Sequence, residues 1–295
     1  MDKVMRNKLA IFTFVAPALF LFALVVFLPI LMSAYYSFFD WNMGSTKIFT
    51  GMENYLNLFN NSQLNFSKGI YNSLLIAFFS VFIQLPISFL LAAILSKGIK
   101  GENFFRNVYF IPVVISSVVI GQLWLKIYNY DYGMLNSVLK MLGLEQFTRD
   151  WIGSVKYALT SVIIVPIWQY IGYHMLLFYA GIKTISPEVL ESAKIDGASY
   201  FRTIRSIIIP MIMPIIEICV TFSIIGSLKV FDMVYIITNG GPLGTTEVAA
   251  TLMYKTLFMR DQYGYGSAMA SFIVVECVLL TVVIQTIFKK NYDKQ

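Results

Sequence analysis

The chain has 295 residues, 58% hydrophobic and only 13% charged, with a net charge of +6 and a mean hydropathy of +0.71. A water-soluble domain carries about 25% charged residues, so most of this surface must face lipid. One histidine and two cysteines, His174, Cys219 and Cys277, all lie in apolar runs; they cannot build a zinc site, a disulfide framework or a Ser-His-Asp centre, so the chain reads as a non-enzyme.

The first apolar run, about residues 10–36, follows Lys3, Arg6 and Lys8. A signal peptide has an apolar stretch of about 7–15 residues, whereas a bilayer needs about 20, so the run reads as an uncleaved first span. Tyr35, Tyr36, Phe38 and Trp41 form an aromatic anchor at its far end. After a polar loop, further spans are expected at about 70–96, 107–128, 157–182, 207–231 and 266–288, separated by short basic or longer polar connections. This is an all-α membrane protein with six spans in one domain, residues 1–295, and both termini on one side.

Charge sets the orientation. Residues 1–9, 97–106, 183–206 and 289–295 carry 13 Lys and Arg in 50 positions, whereas the loops 40–69, 129–156 and 231–263 carry 7 in 91. The first set is therefore expected in the cytoplasm. Because the cations sit at the ends of apolar runs, without a basic stripe, nucleic acid is not an expected partner.

Seven of the nine prolines, among them Pro86, Pro112, Pro166 and Pro210, fall in or beside spans, which suits either kinked packing or a bundle around a pathway. Polar side chains in spans are costly and turn towards a cavity or a partner: Gln84, Ser116, Ser117, Gln122, Gln169, His174, Glu217, Ser223, Ser227, Lys229 and Glu276. Lys229 and Asp232, three apart, are placed to pair on one helical face. Trp168, Gln169, Tyr170 and Tyr173 join aromatic faces to hydrogen-bonding groups beside Pro166, which suits either a sugar or a packed aromatic cluster. Trp168 is read as the only tryptophan away from the interfaces.

Residues 183–206 form a polar loop between apolar flanks. Ser186 is a candidate N-cap, Pro187 suits the first helical position, and Glu188 and Glu191 lie near the positive helix end. Gly197 supplies an unusual backbone geometry and Asp196 a side chain for the next turn's amides; Phe201, Ile204 and Ile208 then recur at helical spacing.

Glu191-Ser192-Ala193, then Asp196-Gly197-Ala198 and Ile209-Pro210, resemble the EAA loop of ABC importer permeases, with Ser192 in place of the usual alanine. Phe39-Asp40-Trp41-Asn42, Phe104-Phe105-Arg106 with Ile111-Pro112, and Phe231-Asp232 leading to Asn239-Gly240-Gly241-Pro242 resemble the carbohydrate-uptake branch, relatives of the maltose permease pair. The resemblance covers essentially the whole chain. It implies the type I importer fold in a bacterial or archaeal plasma (inner) membrane. It further implies a second homologous permease, an ABC ATPase dimer that binds ATP and Mg, an extracytoplasmic sugar-binding protein, and coupling to the ATPase through Glu188, Glu191, Ser192, Ala193, Asp196, Gly197 and Ala198. No cofactor is expected in this chain, which lacks the GxxxxGK[ST] phosphate loop.

The same resemblance carries sugar contacts over to Val113, Ser117, Trp168, Gln169, Tyr170, Tyr173, Ser223, Gly226, Ser227 and Val230. At Val113, Gly226 and Val230 larger groups are replaced by smaller ones, which points away from maltose to a different or larger sugar. Two alternatives stay open. One is the same architecture importing another solute such as glycerol phosphate, for which Lys229 is the basic candidate; the other is a secondary carrier using Glu217 and Glu276, although such carriers have more spans arranged as repeats.

Overall fold

The computed structural model describes residues 8–60 and 64–292. Lys3, Arg6 and Lys294, counted above for orientation, lie outside the described residues. Five helices are long and apolar enough to cross a bilayer: Ile11–Tyr36, Phe66–Leu95, Ala158–Lys183, Met213–Ile237 and Tyr263–Lys289. A sixth crossing is possible if the bent pair Glu102–Val114 and Ser117–Ile127 is one span.

That pair corrects the expectation of a continuous third span over 107–128. Its two arms meet at 96°. Ile115 and Ser116 are extended, with ψ of 138° and 137°, and the Ser116 hydroxyl accepts from the Val118 amide at 3.3 Å, capping the second arm. A serine competes well for amides at a helix start, so a Ser-Ser step inside a β-branched run starts a new helix.

Proline shapes three other helices in one recurring way. Wide π turns occupy Ala23–Phe27, Ser80–Gln84 and Ile204–Ile208, and each ends two residues before a proline: Pro29, Pro86 and Pro210. In each, the amide just before the proline reaches back five residues: Leu28 to Ala23, Leu85 to Ser80, Ile209 to Ile204. A proline ring collides with the carbonyl four residues earlier and supplies no N–H; one extra residue in the turn relieves the collision. Pro17, Pro112 and Pro166 instead sit within α-helical stretches.

Contacts group the described residues into two compact units. Among the described residues, one comprises those up to Asn65 with Leu252–Val275; the other comprises Phe66–Thr251 with those from Glu276 onward. In the first, a short hairpin pairs Phe39–Asp40 with Ile48–Phe49, and an isolated bridge joins Asn42 to Gln262. The expected aromatic anchor is a packed cluster, with Tyr36 against Trp41 at 4.8 Å between centroids and the Lys47 ammonium 4.1 Å from the Trp41 ring.

The second unit is built around Ala158–Lys183, the span with the largest buried share, 56% of its most apolar stretch. Met175, Phe178 and Ile182 pack with Leu85, Ala92 and Ile208, and Val162 and Val165 pack with Ile76, Ile120 and Val234. Gly172 lets this helix touch the first arm of the bent pair, since a Cβ there would run into the Tyr109 carbonyl. The Ser88 hydroxyl donates to the Ile171 carbonyl at 2.9 Å and ties in the span Phe66–Leu95.

Candidate functional site

A cavity of about 640 Å³ lies inside the second unit, within the size range of small-molecule sites. Four helical segments line it, and three do so where they depart from regular α geometry. The π turn of Phe66–Leu95 contributes Ser80 and Gln84, whose side chains hydrogen-bond at 2.8 Å. The break in the bent pair contributes Val113 from one arm and Ser117 from the other. A second break, after Leu228, contributes Lys229, Val230, Phe231 and Asp232, following Ser223, Gly226 and Ser227 on the helix before it. Irregular backbone at membrane depth is tolerated where it lines a cavity, so the breaks and the cavity explain one another.

The fourth wall is the regular helix Ala158–Lys183, through Pro166, Tyr170, Tyr173 and His174. Its side chains recur at i, i+4, i+7 and i+8, one face of an α-helix. Two buried polar atoms among the lining residues, His174 Nδ1 and Ser223 Oγ, have no hydrogen-bond partner among the described residues. Such an atom costs about 1–3 kcal/mol when it stays unpaired. Ser227 is satisfied internally, donating to the Ser223 carbonyl at 2.8 Å.

Outside the spans, the helix Pro187–Ile195 stands mostly in solvent, with Ala193 as its only buried residue. Glu188, Glu191, Ser192, Asp196 and Gly197 are exposed and Ala198 is half-buried. Gly197 has φ +73°, a left-handed geometry that stops the helix, and its Ala198 amide closes the turn onto the Ala193 carbonyl at 2.9 Å. The Ser186 hydroxyl donates to the Glu188 carboxylate instead of accepting from a backbone amide, which corrects the expected cap and holds the Glu188 carboxyl below the usual carboxylate range. Ser199, in place of Asp196, caps the next helix by accepting from the Arg202 amide at 3.3 Å. The π turn at Ile204–Ile208 also breaks the expected stripe: Ile204 and Ile208 are buried, while Phe201 is 72% exposed.

Residues 84–294 match the family of binding-protein-dependent transport system inner membrane components. A probable ABC transporter permease of Bacillus subtilis, YurN, is 37% identical over 99% of this chain and 100% of its own length. The chain belongs to this permease family. The Streptomyces coelicolor permease NgcF, of a diacetylchitobiose uptake system, is 31% identical over 87% of this chain and 75% of its own. The fold is that of a bacterial alginate ABC transporter crystallised with an alginate pentasaccharide-bound periplasmic protein: 22% identity, 96% of this chain and 94% of that one, TM-score 0.81. The permease is thus a multi-pass, mostly helical membrane protein of the type I importer fold and a transport component without an enzymatic role of its own.

Within the permease, eight of the ten residues singled out for substrate line the cavity: Val113, Ser117, Tyr170, Tyr173, Ser223, Gly226, Ser227 and Val230. Trp168 and Gln169 do not. Trp168 packs edge-on against Trp124 with centroids 5.5 Å apart, and Gln169 is buried with its amide donating to the Pro112 carbonyl at 3.3 Å. Lys229 and Asp232 both reach the cavity, but the helix ends between them, so they do not share one helical face. Ser80, Phe222 and Phe231 were not legible as site residues; a proline six residues after Ser80 is the signal that a wide turn lies there.

Proposed function

We propose that this permease passes a sugar, an oligosaccharide by its relatives' substrates, through the cavity of its second unit, as one half of an ATP-driven, binding-protein-dependent importer. The observation that carries the reading is the cavity itself, where aromatic rings (Tyr170, Tyr173, Phe231) are interleaved with hydroxyls (Ser80, Ser117, Ser223). That combination suits the apolar C–H faces and polar rim of a sugar ring. The diacetylchitobiose permease and the alginate transporter are sugar importers by name, which supports the class.

In this reading the second, homologous permease completes the pathway, a dimer of ABC ATPase subunits binds ATP and Mg, and an extracytoplasmic sugar-binding protein delivers the substrate, as a periplasmic protein does on the alginate transporter. The chain lies in the plasma (inner) membrane of a bacterium or archaeon with both termini in the cytoplasm. The helix Pro187–Ile195 then faces the ATPase, offering Glu188, Glu191 and Ser192 as polar contacts, with Asp196, Gly197 and Ala198 closing the turn on Ala193. ATP drives transport only through a difference in affinity between inward-open and outward-open states, which the docked helix transmits to the spans.

Sugar uptake in cells expressing the complex tests this. Gly197→Pro cannot adopt φ +73°, and Glu191→Arg reverses an exposed charge; each should abolish uptake at unchanged membrane abundance. Wild-type uptake by either variant would remove the helix from the coupling path.

A further inference from the structure

We propose that the first unit carries a second carbohydrate-binding site, a polar cleft on the loop side of the spans, distinct from the cavity of the second unit. The cleft encloses about 480 Å³, and all nine residues that line it are polar. Asp40, Asn42, Glu53, Asn57, Gln262 and Tyr265 represent its chemistry: planar amides that donate and accept at once, carboxylates that accept, and one aromatic ring. A sugar ring presents neighbouring hydroxyls that each donate and accept, and planar amide and carboxylate groups meet two of them together. The phenol ring of Tyr265 supplies a surface for C–H groups.

Other ligand classes fit less well. A protein partner would need an apolar centre, and no apolar side chain lines this cleft. A hard cation would need converging acceptors, yet the Asn42 amide donates to Asp40 Oδ1 at 3.0 Å, and among the described residues no three His, Cys, Asp or Glu side chains converge as ligands.

The cleft is also held in shape before any ligand arrives. The bridge between Asn42 and Gln262 is flanked by the Met43 amide donating to the Asp261 carbonyl at 3.1 Å and the Gly264 amide donating to the Trp41 carbonyl at 3.0 Å. Asn54 donates from one amide group to the Ser37 and Phe39 carbonyls at 2.8 and 2.9 Å, and the Tyr265 hydroxyl donates to the Asn57 carbonyl at 3.0 Å. These bonds run through backbone groups, Asn54 and the Tyr265 hydroxyl, so the side chains of Glu53, Asn57 and Gln262 remain available to a ligand. A site whose loops are already ordered loses less freedom on binding. The segments that form it, residues 40–60 and 262–265, adjoin the far end of Ile11–Tyr36 and the start of Tyr263–Lys289. This placement suits capture of sugar before translocation; that role rests on the import reading above, whereas the binding chemistry does not.

The test uses the whole purified transporter in nanodiscs without its binding protein, applied to an immobilised glycan panel that includes N,N′-diacetylchitobiose and maltotriose. Retention of at least one glycan is expected, falling about tenfold in Asn57→Ala with Gln262→Ala, which removes two hydrogen-bonding side chains. Glu53→Gln, which exchanges acceptors for a donor, should reorder the glycan preferences. Retention that ignores the cleft variants, or no retention by a transporter whose ATPase is still stimulated by loaded binding protein, overturns the cleft proposal. A transporter whose ATPase responds to no sugar overturns the import reading instead.

Discussion

Trp168 and Tyr173 lie close together on one helix and end up with different surroundings. Five residues at about 100° each put them roughly 140° apart around the axis. Tyr173 reaches the cavity with Pro166, Tyr170 and His174, whereas Trp168 meets Trp124 and is 38% exposed. Tyr173→Ala should therefore raise the KM for uptake with the complex still assembled. Trp168→Ala should leave KM unchanged and cost about 0.5–1.5 kcal/mol of stability through the lost ring pair, read as an earlier thermal transition in detergent. Resemblance singled out both residues, and only the helical spacing separates them; that spacing was legible in the chain, because Pro166, Tyr170, Tyr173 and His174 fall on one face. Residue chemistry alone misjudged Ser186. A hydroxyl beside a helix start has two attractive partners, an amide and the Glu188 carboxylate, and nothing in the order of residues says which it takes.

Helix breaks are the features of this permease that a reading by apolar runs conceals. The run from Asn107 to Tyr128 is long and apolar enough for one span, yet Ser116 divides it into arms 96° apart. Ser116→Ala removes that cap and should destabilise the second arm by about 1 kcal/mol. The expected result is a lower thermal transition and slower uptake, because Val113 and Ser117 on either side of the break both line the cavity. The π turns are legible only in part. Proline marks where a helix must yield, but Pro112 and Pro166 are accommodated within α-helices whereas Pro29, Pro86 and Pro210 each follow a wide turn. The outcome depends on the neighbours able to accept the displaced backbone, and those are set by tertiary packing.

Taken whole, the chain distributes burial unevenly among helices that look alike as apolar runs. Hydropathy follows the extremes: Ile11–Tyr36 is the most apolar of the five spans and has none of its most apolar stretch buried, whereas Ala158–Lys183 is the least apolar and has 56% buried. The polar side chains that make it so, Gln169 and His174 among them, are the ones protein surrounds. The existence of the spans was thus readable from composition, while the grouping into two compact units was not, since it depends on long-range pairings such as Asn42 with Gln262. A helix with no share in the interior answers to the bilayer alone, and lipid tails do not distinguish one ordering of leucine, valine and phenylalanine from another. Shuffling the apolar letters of residues 11–36 at constant composition should then leave proteolytic fragments of residues 66–251 as resistant as before. Any defect in uptake that the shuffle did cause would mean that the helix is being read, letter by letter, by a neighbouring polypeptide.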